Sequence, residues 1–146
     1  ITQDDDGIAT VMGHEIAHAF ARHGAERMSS GILQQAGGIA VALGTESSKR
    51  ADIWNAAYGL GSQLGMLKFS RVQESEGDKL GLVFMIMAGY NPEKAIGFWQ
   101  RMSENSKGKK QAEFLSTHPA DDTRIADIKV WLPQAKEIAK KYMTAE

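Results

Sequence analysis

Apolar residues recur at three- and four-residue steps along almost the whole of this chain, the period of helices that bury one face. Alternating runs of β-branched residues bounded by turn dipeptides, which would mark strands, are scarce. The pattern predicts a mainly α fold with little or no sheet. Asp4, Asp5 and Asp6 suit the N-cap and first turn of a first helix, in which Ile8, Val11, Met12, Ala19 and Phe20 follow at helical spacing. That helix is expected to end near His23-Gly24, with Arg22 in its last turn and Gly24 as a left-handed terminator.

Between residues 31 and 65 the pattern changes. Seven of the fifteen glycines lie there among Ala, Ile, Leu and Val. A membrane-contacting segment and a pair of closely packed helices both fit this composition. The stretch Ile32 to Leu43 holds Gln34 and Gln35 and falls far short of the ~20 residues a span requires, which favours two helices joined by the polar turn Thr45-Glu46-Ser47-Ser48. A long helix is expected from Leu64 to Ala88, with Val72, Leu80, Val83, Phe84 and Met87 on its buried side. Gly89-Tyr90-Asn91-Pro92 ends it and caps the next helix, which carries Ile96, Phe98, Trp99 and Met102. Asn105-Ser106-Lys107-Gly108-Lys109-Lys110 reads as a solvated loop. Ser116-Thr117-His118-Pro119 opens another helix, with Asp121 and Asp122 in its first turn. Trp131-Leu132-Pro133 is expected to break it before a last amphipathic helix that reaches Met143.

Composition narrows the chemistry. At 146 residues the chain suits a single domain, and 17 basic against 18 acidic side chains leave a net charge of −1. Such a balance argues against nucleic acid or an anionic membrane surface as a main partner. The chain has no cysteine, which removes disulfides, thiolate metal sites and cysteine nucleophiles. A metal would have to be held by nitrogen and oxygen, from only four histidines and the carboxylates. The chain opens on Ile1 with no basic and apolar leader after it. It reads as a fragment of a longer protein.

His14-Glu15-Ile16-Ala17-His18 is an H-E-x-x-H. Residues i and i+4 share a helical face, so both imidazoles can reach one ion at about 2.0–2.1 Å. Glu15, beside that face, can act as a general base without ligating the ion. A metzincin would need Gly and His seven and ten residues after His14. Ala21 and Gly24 stand there, so that class fails and His23 reads as an exposed helix-end histidine. A downstream Glu on a second helix is the other common third ligand, and one match to Glu-x-x-x-Asp exists, Glu74-Ser75-Glu76-Gly77-Asp78. Glu74 could ligate zinc while Asp78 accepts the outer N–H of a zinc-bound His. By itself the run would pass for a solvated acidic stripe; after the H-E-x-x-H it does not. Gly77 and Gly81 lie on or beside the same face, where missing side chains would let the two helices meet closely. His118, held at a helix entry by Pro119, fits either a surface cap or a donor to the oxyanion of a tetrahedral intermediate.

These motifs together resemble zinc metallopeptidases of the gluzincin type related to HtpX and the CAAX prenyl endopeptidases, and within them the soluble bacterial branch typified by BepA and LoiP. The resemblance is carried by Met12-Gly13-His14-Glu15-Ile16-Ala17-His18, by Ser70-Arg71 with Glu74 to Gly81, and by Thr117-His118-Pro119-Ala120-Asp121-Asp122-Thr123-Arg124-Ile125. It implies a zincin-type core in which the first motif's helix packs on the second's. His14, His18 and Glu74 would hold one zinc ion per chain, with Glu15 as general base. Asp78 would support a ligand, and His118 and Arg124 would stand at the active site. It further implies an endopeptidase acting on misfolded or membrane-associated proteins of the bacterial envelope, with peripheral membrane association through a missing N-terminal region. The family more often has Ala at the position of Gly77. Its members also carry a preceding segment with strands beside the cleft, one of which pairs with substrate, and residues 1–146 are expected to be a single catalytic domain without it. The competing reading is a zinc-stabilised helical, chaperone-like binding module without proteolysis. A purely structural bundle would bind no stoichiometric zinc.

Overall fold

A computed structural model describes residues 2–106, 118 and 122–144, and no strand occurs among the described residues. Five helices follow one another among the described residues: α1 (Asp5–Phe20), α2 (His23–Thr45), α3 (Ala51–Met87), α4 (Lys94–Ser106) and α5 (Asp122–Met143). The Asp4 carboxylate accepts from the Gly7 amide at 2.8 Å and caps α1. Termination comes a turn earlier than the glycine suggested. Arg22, not Gly24, takes the left-handed conformation (φ 59°), and α2 begins at His23 with Gly24 inside it. His23 is 1% exposed, which corrects its reading as a surface histidine.

The chain divides into two compact units, Ile1–Ala21 with Glu74–Glu146, and Arg22–Gln73. In the first, Leu82, Val83 and Met85 of α3 meet Phe98, Trp99 and Met102 of α4 and Ile125 and Ile128 of α5 in one apolar core. Gly89 (φ 82°) ends α3, and the Tyr90 amide donates to the Met85 carbonyl across the left-handed turn. The Asn91 side chain then accepts from the Glu93 amide at 3.0 Å and leads the chain into α4. Asn105 and Ser106, expected in the loop, instead complete the last turn of α4; the rest of that loop, 107–110, and residues 116, 117, 119 and 121 of the expected helix start lie outside the described residues. Pro133 does not break the last helix; α5 runs through it. The proline forfeits one backbone hydrogen bond, while Ile128 on one side and Ala135 and Ala139 on the other remain buried and hold the helix in line.

Two apolar patterns mislead in this unit. In α1 the buried positions are Gly7, Thr10, Gly13, His14 and Ala17, whereas Ile8, Met12 and Phe20 are exposed. Along α3, Val72 and Met87 are exposed, and the inward side carries Glu74, Gly77, Asp78 and Gly81. Both helices turn small and polar residues inward, because they must come within backbone contact. A Cβ on Gly13 would sit 2.9 Å from the Gly81 carbonyl oxygen, and one on Gly81 would sit 3.0 Å from the His14 amide nitrogen.

The second unit is an antiparallel pair formed by α2 and the first part of α3, joined near Thr45 as expected. Gly37 and Gly38 face Tyr58, whose hydroxyl donates to the Gln34 carbonyl at 2.8 Å. The Gln34 amide donates to Ser62 at 3.0 Å. The expected break near Leu64 is missing: the second helix of the pair and the long helix are one element of 37 residues.

Candidate active site

Four donors converge where α1 faces α3. His14 and His18 project from one face of α1, and their Nε2 atoms lie 3.0 Å apart. Glu74 of α3 brings Oε1 to 3.3 Å from His18 Nε2 and Oε2 to 3.3 Å from His14 Nε2. His118 places Nδ1 2.8 Å from Glu74 Oε2 and 3.2 Å from His14 Nε2. One ligand atom from each of the four falls within 4.8 Å of the others. Gly77 makes the cluster possible, since a Cβ there would stand 3.0 Å from both His14 Cε1 and His18 Nε2.

The donor set fits a cation. Three imidazole nitrogens and a carboxylate aimed at one point are the nitrogen and oxygen ligands that zinc takes. Ligand atoms at about 2.0–2.1 Å from a tetrahedral zinc are about 3.3 Å from each other, close to the 3.0–3.3 Å spacings among His14, His18 and Glu74. Electrostatics point the same way. Burial by itself would raise the Glu74 carboxyl, but hydrogen bonds from His118, His14 and His18 hold it far below the usual carboxylate range. Burial would push His14 down, yet its bonds to Asp78 and Glu74 outweigh that and the opposing Arg124 charge, so the imidazole lies above its ordinary value.

Behind the cluster stands a buried support. His14 Nδ1 lies 3.0 Å from Asp78 Oδ1. Arg124 of α5 grips Asp78 through one edge of its guanidinium, Nε donating to Oδ2 and Nη2 to Oδ1, each at 2.6 Å. The same guanidinium stacks 3.4 Å above the ring of Trp99. Trp99 reads from sequence as plain core, and nothing in its spacing distinguishes it from Phe98 beside it. Gly13 likewise passes unnoticed, although the Gly77 and Gly81 pattern points to the same close crossing. Glu15 stands at the open side, half-exposed, with Oε1 3.3 Å from His118 Nε2. All seven residues singled out in the sequence thus gather in one place. His118 sits among the residues that could hold a metal, and the Arg124 guanidinium faces Asp78 beside them.

The model of Peptidase family M48 matches residues 1–132. This chain belongs to that family. It is 38% identical, over 94% of its length, to the mitochondrial metalloendopeptidase OMA1 of Saccharomyces cerevisiae. Its identity to the protein of that name from Schizosaccharomyces pombe is 37%, over 90%. With the beta-barrel assembly-enhancing protease of Yersinia pestis it shares 30% over 86%. The chain spans two fifths or less of the length of these relatives: 40%, 38% and 27%. No solved structure matches it significantly. The M48 chain carries the helical metallopeptidase core that its motifs implied, and its family is one of metal-dependent proteases.

Proposed function

We propose that residues 1–146 form the catalytic domain of a zinc endopeptidase with one ion, held by His14, His18 and Glu74. The observation that carries this is the convergence of those three donors with a carboxylate, Glu15, at the open side of the same helix. Bound there, zinc supplies Lewis acidity to a scissile carbonyl and makes water nucleophilic near neutral pH. Glu15 takes the proton of the attacking water and delivers it to the leaving amine. Asp78 accepts from His14 Nδ1 and so aims Nε2 at the ion. Arg124 acts through Asp78: its guanidinium is buried and holds the carboxylate with two bonds, which suits a positioning residue better than an oxyanion donor.

His118 has two stations. With Nδ1 among the donors it fills the fourth place, which a catalytic zinc site keeps for water. Hydrolysis requires it to swing off Glu74, after which its ring can donate to the oxyanion. The four-donor cluster is also the observation that favours the second reading, a closed zinc site in a module that holds proteins without cutting them. Bound zinc and chelator-sensitive cleavage of casein separate the two. Zinc with cleavage supports the peptidase, and stoichiometric zinc without cleavage supports the module.

The proposed substrates are proteins or peptides, extending to misfolded or membrane-associated proteins of the bacterial envelope. The name of the Yersinia pestis relative supports that setting; the fungal relatives are named as mitochondrial.

A further inference from the structure

The Arg22–Gln73 unit is built inside out. The faces that α2 and α3 turn toward each other carry Gln34, Gly37, Gly38, Tyr58 and Ser62, bonded or packed across the pair. Large apolar side chains lie on the sides opposite those contacts. Along α2, Ile32, Ile39 and Leu43 are 65%, 56% and 70% exposed, and Ile53, Leu60 and Leu64 of α3 are exposed to a similar degree. None of the buried apolar residues of the chain belongs to this unit. A soluble helical pair has the opposite polarity, because burying the apolar stripe is what drives it to pack.

Charge is distributed to match. Residues 28–45 and 53–67 contain no charged side chain, runs of 18 and 15 residues. At 1.5 Å per residue they extend about 27 and 22 Å, against a bilayer hydrocarbon core of about 30 Å. Charged residues bracket the runs: Glu46, Lys49, Arg50 and Asp52 at the turn, and Glu26, Arg27, Lys68 and Arg71 at the other end. Six basic residues against three acidic ones give the unit +3, in a chain whose net charge is −1. Among the described residues no helix is long and apolar enough to cross a membrane. Gln34 and Ser62 interrupt the apolar runs but bond each other across the pair, as polar side chains do between helices in lipid. Ser29, Gln35, Asn55 and Gln63 are the polar exceptions on the outer surface of the two runs.

We propose that this hairpin inserts into the acyl layer of a lipid bilayer, with its charged ends among anionic headgroups. A second copy of the chain suits the surface less well, since the two apolar stripes point away from one another and offer no single flat face. Lipid surrounds a hairpin from every side. The peptidase centre lies in the other unit, so the proposal stands or falls independently of the catalytic reading.

Full-length chain mixed with phosphatidylcholine–phosphatidylglycerol vesicles should float with them, and the emission of Trp54, half-exposed on α3, should shift to the blue. Ile39→Glu and Leu64→Glu each alter an outward side chain. Each should weaken vesicle binding by at least about tenfold, with zinc content and helicity unchanged. A chain that stays out of the vesicle fraction overturns the proposal, as does a folded double variant that binds as tightly as the parent. So does a vesicle-indifferent dimer that the double variant converts to monomer, which would assign the surface to a second copy.

Discussion

Replacing Asp78 by alanine probes the link between packing and the metal centre. Asp78 and Arg124 form a two-bond ion pair, each bond 2.6 Å long, with both residues 7% exposed. Removing one partner of a buried pair strands the other and costs about 3–5 kcal/mol. Arg124 would keep its 3.4 Å contact with Glu74 and its place over the Trp99 ring, so the expected loss lies near the lower bound, about 3 kcal/mol. His14 also loses the carboxylate that orients it, and such support typically accounts for about 10–100-fold in metal affinity. Urea unfolding of the metal-free chain measures the first quantity, and zinc competition with a chromophoric chelator measures the second. Adding Arg124→Met to Asp78→Ala removes the stranded charge. The pair of changes should therefore cost at least about 1 kcal/mol less than the two separate losses combined. An Asp78→Ala protein within about 1 kcal/mol of the parent, with unchanged zinc affinity, would refute the assigned support.

Two further predictions follow from the glycines and the histidines. A Cβ on Gly65 meets nothing within 4 Å, so Gly65→Ala should stabilise α3 by up to about 1 kcal/mol. Gly81→Val, which forces a larger side chain against the His14 backbone, should lower the melting temperature and weaken zinc binding. Equal melting temperatures for the two variants would show that α1 and α3 do not meet there. Zinc uptake should release protons, because the ion needs neutral imidazole and His14 binds its proton above the ordinary histidine value. Apparent zinc affinity should then fall as pH drops through and below that range. Calorimetry in buffers of different ionisation enthalpy reads the released protons, and heats independent of buffer would count against it.

How far the sequence could be read differs between the site and the scaffold. His14, Glu15, His18, Glu74 and Asp78 were visible because metal chemistry imposes their spacing on a helix, whatever packs around them. The same requirement hid the scaffold. Hydrophobic periodicity assumes that a helix buries its apolar face, yet α1 buries Thr10, Gly13 and His14 and leaves Met12 and Phe20 outside. Local signals for helix ends failed where tertiary contacts prevailed. Gly24 and Pro133 both lie within helices, while Arg22 makes the left-handed turn. The burial of His23 has no counterpart in its spacing. Gly89 and Asn91 were legible because a positive φ and a side-chain cap are local events. The polarity of the Arg22–Gln73 pair was the hardest to read, since glycine-rich apolar composition does not say which side of a helix faces its neighbour.

Glu15→Gln tests the central claim most directly. The variant keeps the size of the side chain and removes its basicity, and Glu15 is not one of the four residues that could hold a metal. Zinc content and casein cleavage should be measured together on parent and variant. The account predicts one zinc per chain in both proteins, with chelator-sensitive cleavage in the parent and none above background in the variant. Cleavage by Glu15→Gln at the parental rate would contradict it.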